Sequence, residues 1–171
     1  MTTTILVGNP KPASRTRHIA EAVAEVLGVG EADRIVIDLA DHVDELFRWP
    51  SETMSALAET VTASDLLIVA SPTYKATYTG LLKSFLDRFG GDALSGVTAV
   101  PVMTGASAGH SMAPDEHLRP LLVELGAMVP SRSLYFITED MDRMDALVAD
   151  WAGSSLAPIR ATLSLTNAVS R

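Results

Sequence analysis

The stretch Gly8-Asn9-Pro10-Lys11-Pro12-Ala13-Ser14-Arg15-Thr16-Arg17 sets hydroxyl and guanidinium groups side by side where an amphipathic run begins. A helix N-terminus offers unpaired backbone N–H groups and about half a positive charge, a natural seat for an anion. Cations at that end of a helix are electrostatically misplaced unless an anion sits there. Ser14, Arg15, Thr16 and Arg17 are therefore predicted to bind a phosphate, beyond the plain alternative of a capped helix with solvated arginines. The stretch is neither a P-loop nor the dinucleotide glycine fingerprint, because Gly8 is its only glycine.

Two further stretches have unusual chemistry. Ser71-Pro72-Thr73-Tyr74-Lys75-Ala76-Thr77-Tyr78-Thr79-Gly80 places a cation between aromatic rings, and Pro72 stiffens its turn. Tyr74 and Tyr78 can stack on a flat ring and donate to a carbonyl, or they can cover a sheet end while Lys75 is solvated. Thr104-Gly105-Ala106-Ser107-Ala108-Gly109-His110 is built from small residues, so its backbone amides can approach a planar ligand closely. His110 is placed to contact the ligand edge or to cap the next helix. A phosphate cradle, a stiff aromatic turn and a small-residue loop together suit a planar molecule bearing a phosphate, a description FMN meets.

The elements that must position these loops alternate along the chain. Compact apolar runs predict strands over Thr3–Gly8, Arg34–Leu39, Asp65–Ala70, Val97–Met103 and Ser133–Ile137. Helical spacing predicts helices over Arg15–Leu27, Met54–Thr62, Thr79–Phe89 and Met112–Leu125, the last interrupted by Pro120. Met141–Trp151 begins a final helix that is expected to break at Gly153 and restart near Pro158. Pro101 falls near the expected end of the fourth strand and puts that strand's length in question. Such alternation demands a parallel sheet with right-handed crossovers, in the order 2-1-3-4-5 or a truncated Rossmann order. In the first order, the loops after strands 1, 3 and 4 converge beyond the carboxyl ends of the strands.

Three segments resemble the NAD(P)H-dependent FMN reductase family, and in particular its reductase components of two-component alkanesulfonate monooxygenase systems. Gly8-Asn9-Pro10-Lys11 with Ser14-Arg15-Thr16 is similar to the family's G-S-P-R…S-x-S phosphate loop. Ser71 to Lys83 resembles its T-P-V-Y-K-x-x-Y-S-G-x-L-K segment, the most specific of the three. Thr104-Gly105 through His110, with Leu118-Arg119-Pro120-Leu121, is similar to its T-G…H…L-K-P-V run. The resemblance runs from the first strand to about Asp140.

This resemblance implies a flavodoxin-like three-layer α/β sandwich spanning 1–171, with a five-stranded parallel sheet of order 2-1-3-4-5. It implies that Ser14, Arg15 and Thr16 bind the FMN phosphate. Pro72, Thr73, Tyr74 and Lys75 would border the isoalloxazine and ribityl chain, with Thr104, Gly105 and Ser107 near the ring edge. Asn9 stands where serine is usual. The resemblance further implies hydride transfer from NADPH or NADH to FMN, a flavin-dependent monooxygenase partner that takes reduced FMN, and a homodimer or homotetramer. Some members carry a disturbed turn in the fourth helix, where this chain reads Ala113-Pro114-Asp115-Glu116-His117-Leu118-Arg119-Pro120. No general acid or base is nominated, because flavin supplies the chemistry and protein the orientation.

Other readings stay open or fall on particular residues. An FMN-retaining quinone or azo reductase fits the same loops. A flavodoxin-type electron carrier fits the acidity, but Arg15 and Arg17 count against it. A receiver-type phosphorylation switch needs acids where this chain has Gly8-Asn9-Pro10 and Ala70-Ser71-Pro72. A net charge of -8 argues against nucleic acid as a partner. The absence of cysteine excludes thiolate metal sites, and His18, His42, His110 and His117 show no ligand spacing beside carboxylates. With 47% hydrophobic and 20% charged residues, the composition is that of a globular protein. No apolar run approaches the roughly 18 residues of a membrane span, and the opening residues do not read as a signal peptide, so the cytoplasm is expected.

Overall fold

Strands apolar on both faces must be covered on both, and the chain does this with one parallel sheet and two helical layers. The computed structural model describes the backbone of residues 1–169 and the side chains of 1–166. The last two residues of the expected 1–171 unit lie outside the described residues. The strands are β1 (Thr3–Val7), β2 (Arg34–Asp38), β3 (Leu66–Pro72), β4 (Thr98–Gly105) and β5 (Leu134–Ile137). They form a five-stranded sheet of order β2-β1-β3-β4-β5, every neighbouring pair parallel. The helices are α1 (Arg15–Val26), α2 (Glu52–Thr62), α3 (Gly80–Leu86), α4 (Arg119–Glu124) and α5 (Met144–Val169).

Alternation along each strand divides the core. Leu6, Leu67, Val69 and Met103 pack with Met54, Leu82, Phe85 and Leu122 from α2, α3 and α4. Ile5, Val7, Ile68 and Val102 pack on the other face with Ile19, Val23, Val148 and Ile159 from α1 and α5. Each fully buried side chain of this size contributes about 1.5–3 kcal/mol by leaving water. Among the described residues no helix is long and apolar enough to cross a membrane.

Two strands run further than the sequence predicts. β3 continues through Ser71 and Pro72, paired with Met103 and Thr104. β4 passes straight through Pro101 to Gly105. The reason is local. Ala99 donates its N–H to Met128, on the β5 side, and by alternation the N–H that Pro101 lacks falls on that side too. Pairing with β5 begins only at Val102, so no ladder bond is lost.

The helices depart from expectation for equally specific reasons. α3 ends at Leu86 rather than Phe89, and Thr79 is its cap, accepting the Leu82 N–H at 3.1 Å. α5 starts at Met144, after a 3₁₀ turn, and does not break at Gly153 or Pro158. Val148, Ala152, Ser155 and Ile159 form one buried stripe that crosses both breakers, so tertiary burial overrides local propensity. Gly153 itself has nothing within 4 Å of where a Cβ would stand. Gly153→Ala is expected to raise stability by about 1 kcal/mol in urea denaturation, the propensity difference at an exposed helix interior.

Before α4 the chain makes a π-helical turn over Pro114–Leu118, with the Arg119 N–H bonded to Pro114 O. Pro120 cannot donate to Glu116, and its ring would clash with that carbonyl in a regular helix, so the turn widens. Asp115 and Arg119 anchor it. Asp115 Oδ1 accepts from Arg119 Nε at 2.8 Å and from the Ser133 hydroxyl at 2.7 Å, and Arg119 also donates to the carbonyls of Val129 and Ser131. Burial pushes the Asp115 carboxyl up, but the Ser133 and Arg119 donors outweigh it and hold it below its ordinary value of 3.8. A depressed carboxylate stabilises the fold above its unfolded pKa and loses that contribution as pH falls through the folded one. Asp115→Asn is therefore expected to cost about 1–2 kcal/mol at pH 7. Thermal melts should show the gap narrowing as pH falls below about 4 and closing only below the depressed folded pKa, where native wild type is protonated as well.

Candidate functional site

Gly8 ends β1 by donating its N–H to Ala70 O at 2.7 Å, and a Cβ there would stand 2.5 Å from Leu82 Cβ. That close packing of β1 against α3 turns the following loop outward over the carboxyl ends of β1, β3 and β4. Ala13 holds a left-handed φ of 48° in this loop, and its N–H is fixed by Asp38 Oδ2 at 3.2 Å. Burial pushes the Asp38 carboxyl up, against the pull of the Ala13 and Ala40 N–H groups and of Arg17.

Ser14 then caps α1, its hydroxyl oxygen accepting the Arg17 N–H at 3.3 Å. Because that oxygen accepts, the Ser14 proton is free to donate. The N–H groups of Arg15 and Thr16, in the first turn, have no helical acceptor. Asn9 ties the arrangement together. Its Oδ1 accepts the Lys11 N–H at 2.9 Å, and its Nδ2 donates to Thr16 Oγ1 at 3.0 Å. Thr16 Oγ1 also lies 2.9 Å from Thr104 Oγ1 on β4. With Thr104 as donor, the Thr16 oxygen accepts twice and its own proton faces outward. Asn9 thus fixes the hydroxyl beside it, a role its amide can fill on both sides at once.

These groups line a cleft of about 390 Å³. Of the predicted residues, it brings together Asn9, Ser14, Arg15, Thr16, Pro72, Thr73, Tyr74, Thr104 and Gly105. Lys75, Ser107 and His110 are not in its lining. Lys75 sits at the tip of a two-residue turn closed by paired bonds between Tyr74 and Thr77. Ser107 is drawn aside because its carbonyl accepts the Tyr135 hydroxyl at 2.9 Å. His110 follows in a 3₁₀ turn that faces a neighbouring cleft. A Cβ at Gly105 would overlap the Tyr135 hydroxyl, so any larger residue there requires the Tyr135 ring to move. Tyr78 packs against the core, so the two tyrosines divide the alternatives between them.

Arg17 leaves the cradle. Its Nε donates to Glu21 at 2.9 Å and its Nη1 lies 3.9 Å from Asp38, so its charge is answered within the protein. Arg15 stays, reaching over the cleft to donate to Thr138 O at 3.2 Å. Lys11, Ala13, His18, Ala106 and Thr138 complete the lining without having been predicted. His18 follows Ser14 by one helical turn, a spacing that could have revealed it. Thr138 enters from β5, which no loop motif marks.

The charge of the lining decides what it can hold. In a chain of net charge -8, the cleft contains no carboxylate, while Lys11 and Arg15 reach it. The Thr73 hydroxyl is buried and has no hydrogen-bond partner. A buried orphan donor is costly unless something else meets it. Its place in the wall, with Gly105 and Ala106 opposite the phosphate end, fits a flat ligand with polar edges and one phosphate. The residues present therefore fit FMN. Among the described residues no group of histidines and carboxylates could hold a metal ion.

Comparison with known proteins gives the same picture. A family model described as NADPH-dependent FMN reductase matches residues 1–142. An FMN reductase (NADPH) of Escherichia coli K12 is 34% identical over 125 residues, 71% of this chain and 65% of its own. The NADH-dependent FMN reductase SfnF of Pseudomonas putida is 33% identical over 126 residues, 74% of this chain and 60% of its own. The chain thus spans less than two thirds of the length of either relative. Among solved structures, an oxidoreductase from Corynebacterium diphtheriae superposes with a TM-score of 0.78 at 29% identity, covering 96% of this chain and 98% of that one.

Proposed function

This chain belongs to the NADPH-dependent FMN reductase family, and from that premise we propose that it binds FMN in the β1–β3–β4 cleft and reduces it with NADPH or NADH. The observation that carries the proposal is the acid-free lining with Arg15 over the cradle and an orphaned Thr73 hydroxyl in the wall. Bound there, FMN would supply the hydride-accepting ring that no side chain provides. The chain's own residues bind and orient. Ser14, Arg15 and Thr16 hold the phosphate through hydroxyls, first-turn N–H groups and the guanidinium. Asn9 and Thr104 fix the Thr16 hydroxyl. Pro72, Thr73 and Tyr74 border the ring and ribityl chain, and Gly105 and Ala106 lie at the ring edge. No residue is assigned a proton-transfer role.

The cleft is open to solvent and only Lys11 and Arg15 bring full cationic charge to it, which suits exchange of reduced FMN with a partner monooxygenase; assembly as a homodimer or homotetramer is proposed from the family resemblance. Anaerobic NADPH or NADH oxidation with FMN in tenfold excess over protein tests the activity. Bleaching of the whole FMN pool is expected. Bleaching limited to one equivalent, released by adding a quinone, would instead favour a reductase that keeps its flavin. Flavin that binds and is reduced by neither nucleotide would leave only an electron carrier.

A further inference from the structure

A second polar cleft, of about 260 Å³, lies beside the first. One wall is Ala76, on the turn whose Tyr74 lines the flavin cleft, so the two clefts flank a single turn. The other wall is the segment carrying His110, Ser111, Glu116 and His117, the last two on the π turn.

Two features of this cleft are unexplained by FMN binding. His110, His117 and the neighbouring Lys75 form no hydrogen bond or ion pair among the described residues. Cations elsewhere are mostly spoken for: Arg34 by Glu25, Arg48 by Glu45, Lys83 by Asp87 and Arg143 by Asp140. The turn is also strained. Lys75 and Ala76 hold φ of 52° and 69°, a left-handed pair that costs roughly 1–2 kcal/mol per residue for side-chain-bearing amino acids. Strain of this kind persists at ligand clamps. Against these stands one carboxylate, Glu116.

We propose that this cleft binds a phosphate of the adenylate half of the reduced nicotinamide dinucleotide, with His110 and His117 as donors and Lys75 at its rim. The inference rests on the reductase reading, which places the nicotinamide over the flavin cleft next door. The volume is too small for a whole dinucleotide and suits a phosphate with part of its sugar. Either the 2′-phosphate of NADPH or the diphosphate common to both nucleotides has this chemistry.

Calorimetric titration of the FMN-loaded protein with adenosine 2′,5′-bisphosphate and with ADP tests it without turnover. His110→Ala with His117→Ala, which removes both donors, should weaken binding about tenfold, while FMN affinity stays within about threefold of wild type. Loss confined to the bisphosphate assigns the cleft to the 2′-phosphate, and loss confined to ADP assigns it to the diphosphate. Glu116→Gln, which removes the opposing charge, should tighten binding of the same probe about threefold. Wild-type and double-variant proteins that bind both probes equally, or not at all, would overturn the subsite. FMN turnover by wild type in that case keeps the activity and loses only the subsite. Histidine-dependent probe binding without FMN reduction keeps the subsite and loses the activity.

Discussion

Replacing Arg15 and Thr16 together with alanine is expected to weaken FMN binding by about two orders of magnitude, roughly 3 kcal/mol. The arithmetic combines a charged hydrogen bond from a guanidinium with one from a hydroxyl, each to a phosphate oxygen. Both act on the phosphate alone, so NAD(P)H turnover at saturating flavin should change far less. Equilibrium titration of flavin fluorescence reads the affinity directly. Arg17→Ala is the internal control: its guanidinium already lies with Glu21 and Asp38, so flavin affinity should stay within about threefold. Thr16→Ser should behave like wild type, because it keeps the hydroxyl that Asn9 and Thr104 hold. Unchanged affinity in the double variant would remove the phosphate from this loop.

Gly8→Ala should destabilise the protein by about 2–3 kcal/mol. The new Cβ would stand 2.5 Å from Leu82 Cβ and 3.3 Å from Leu82 Cα. Neither atom is the far end of a flexible side chain, so relief requires α3 to move off the sheet. Leu82 is fully buried in the core beneath it. For a domain of this size the melting temperature should fall by about 5–10 °C. Because Thr79 Oγ1 also donates to Gly8 O at 2.5 Å, displacement of α3 pulls on the turn before the cradle, and flavin affinity should fall with stability. Gly80, one helical register away, has nothing within 4 Å of its Cβ position, and Gly80→Ala should leave both quantities nearly unchanged. A melt of Gly8→Ala indistinguishable from wild type would mean that β1 and α3 do not meet this closely.

The alternation of strands and helices and the parallel sheet were legible because apolar runs and helical spacing are properties of single segments; they left two strand orders open, and the family resemblance supplied 2-1-3-4-5 and with it the convergence of three loops. The grouping of Ser14, Arg15 and Thr16 was legible for the same reason, because they are adjacent in the chain, and they line one cleft. What escaped was set by distant partners. Arg17 reads as a phosphate ligand until Glu21, one helical turn on, and Asp38, at the end of β2, are placed beside it. Pro101 reads as a strand end until the late start of β5 shows that its missing N–H costs nothing. Gly153 and Pro158 read as a helix break until the buried stripe of α5 is seen to run through both. Ser107 is expected near the ring edge and His110 at the ligand edge or a helix cap, yet neither lines the cleft, and the Ser107 carbonyl is engaged by the Tyr135 hydroxyl from β5. Thr138 reaches the cleft only because β5 lies next to β4. Apart from the Arg17–Glu21 pair, the deciding contacts join residues far apart in sequence.

The measurement that bears most directly on the account is the ratio of dissociation constants for riboflavin and FMN, which share the ring and differ by the phosphate. If Ser14, Arg15 and Thr16 seat that phosphate, FMN should bind wild-type protein at least about a hundredfold more tightly, as expected for several charge-assisted hydrogen bonds. Equal affinity for the two flavins would contradict the placement of the phosphate at the start of α1, and with it the orientation assigned to the flavin in the cleft.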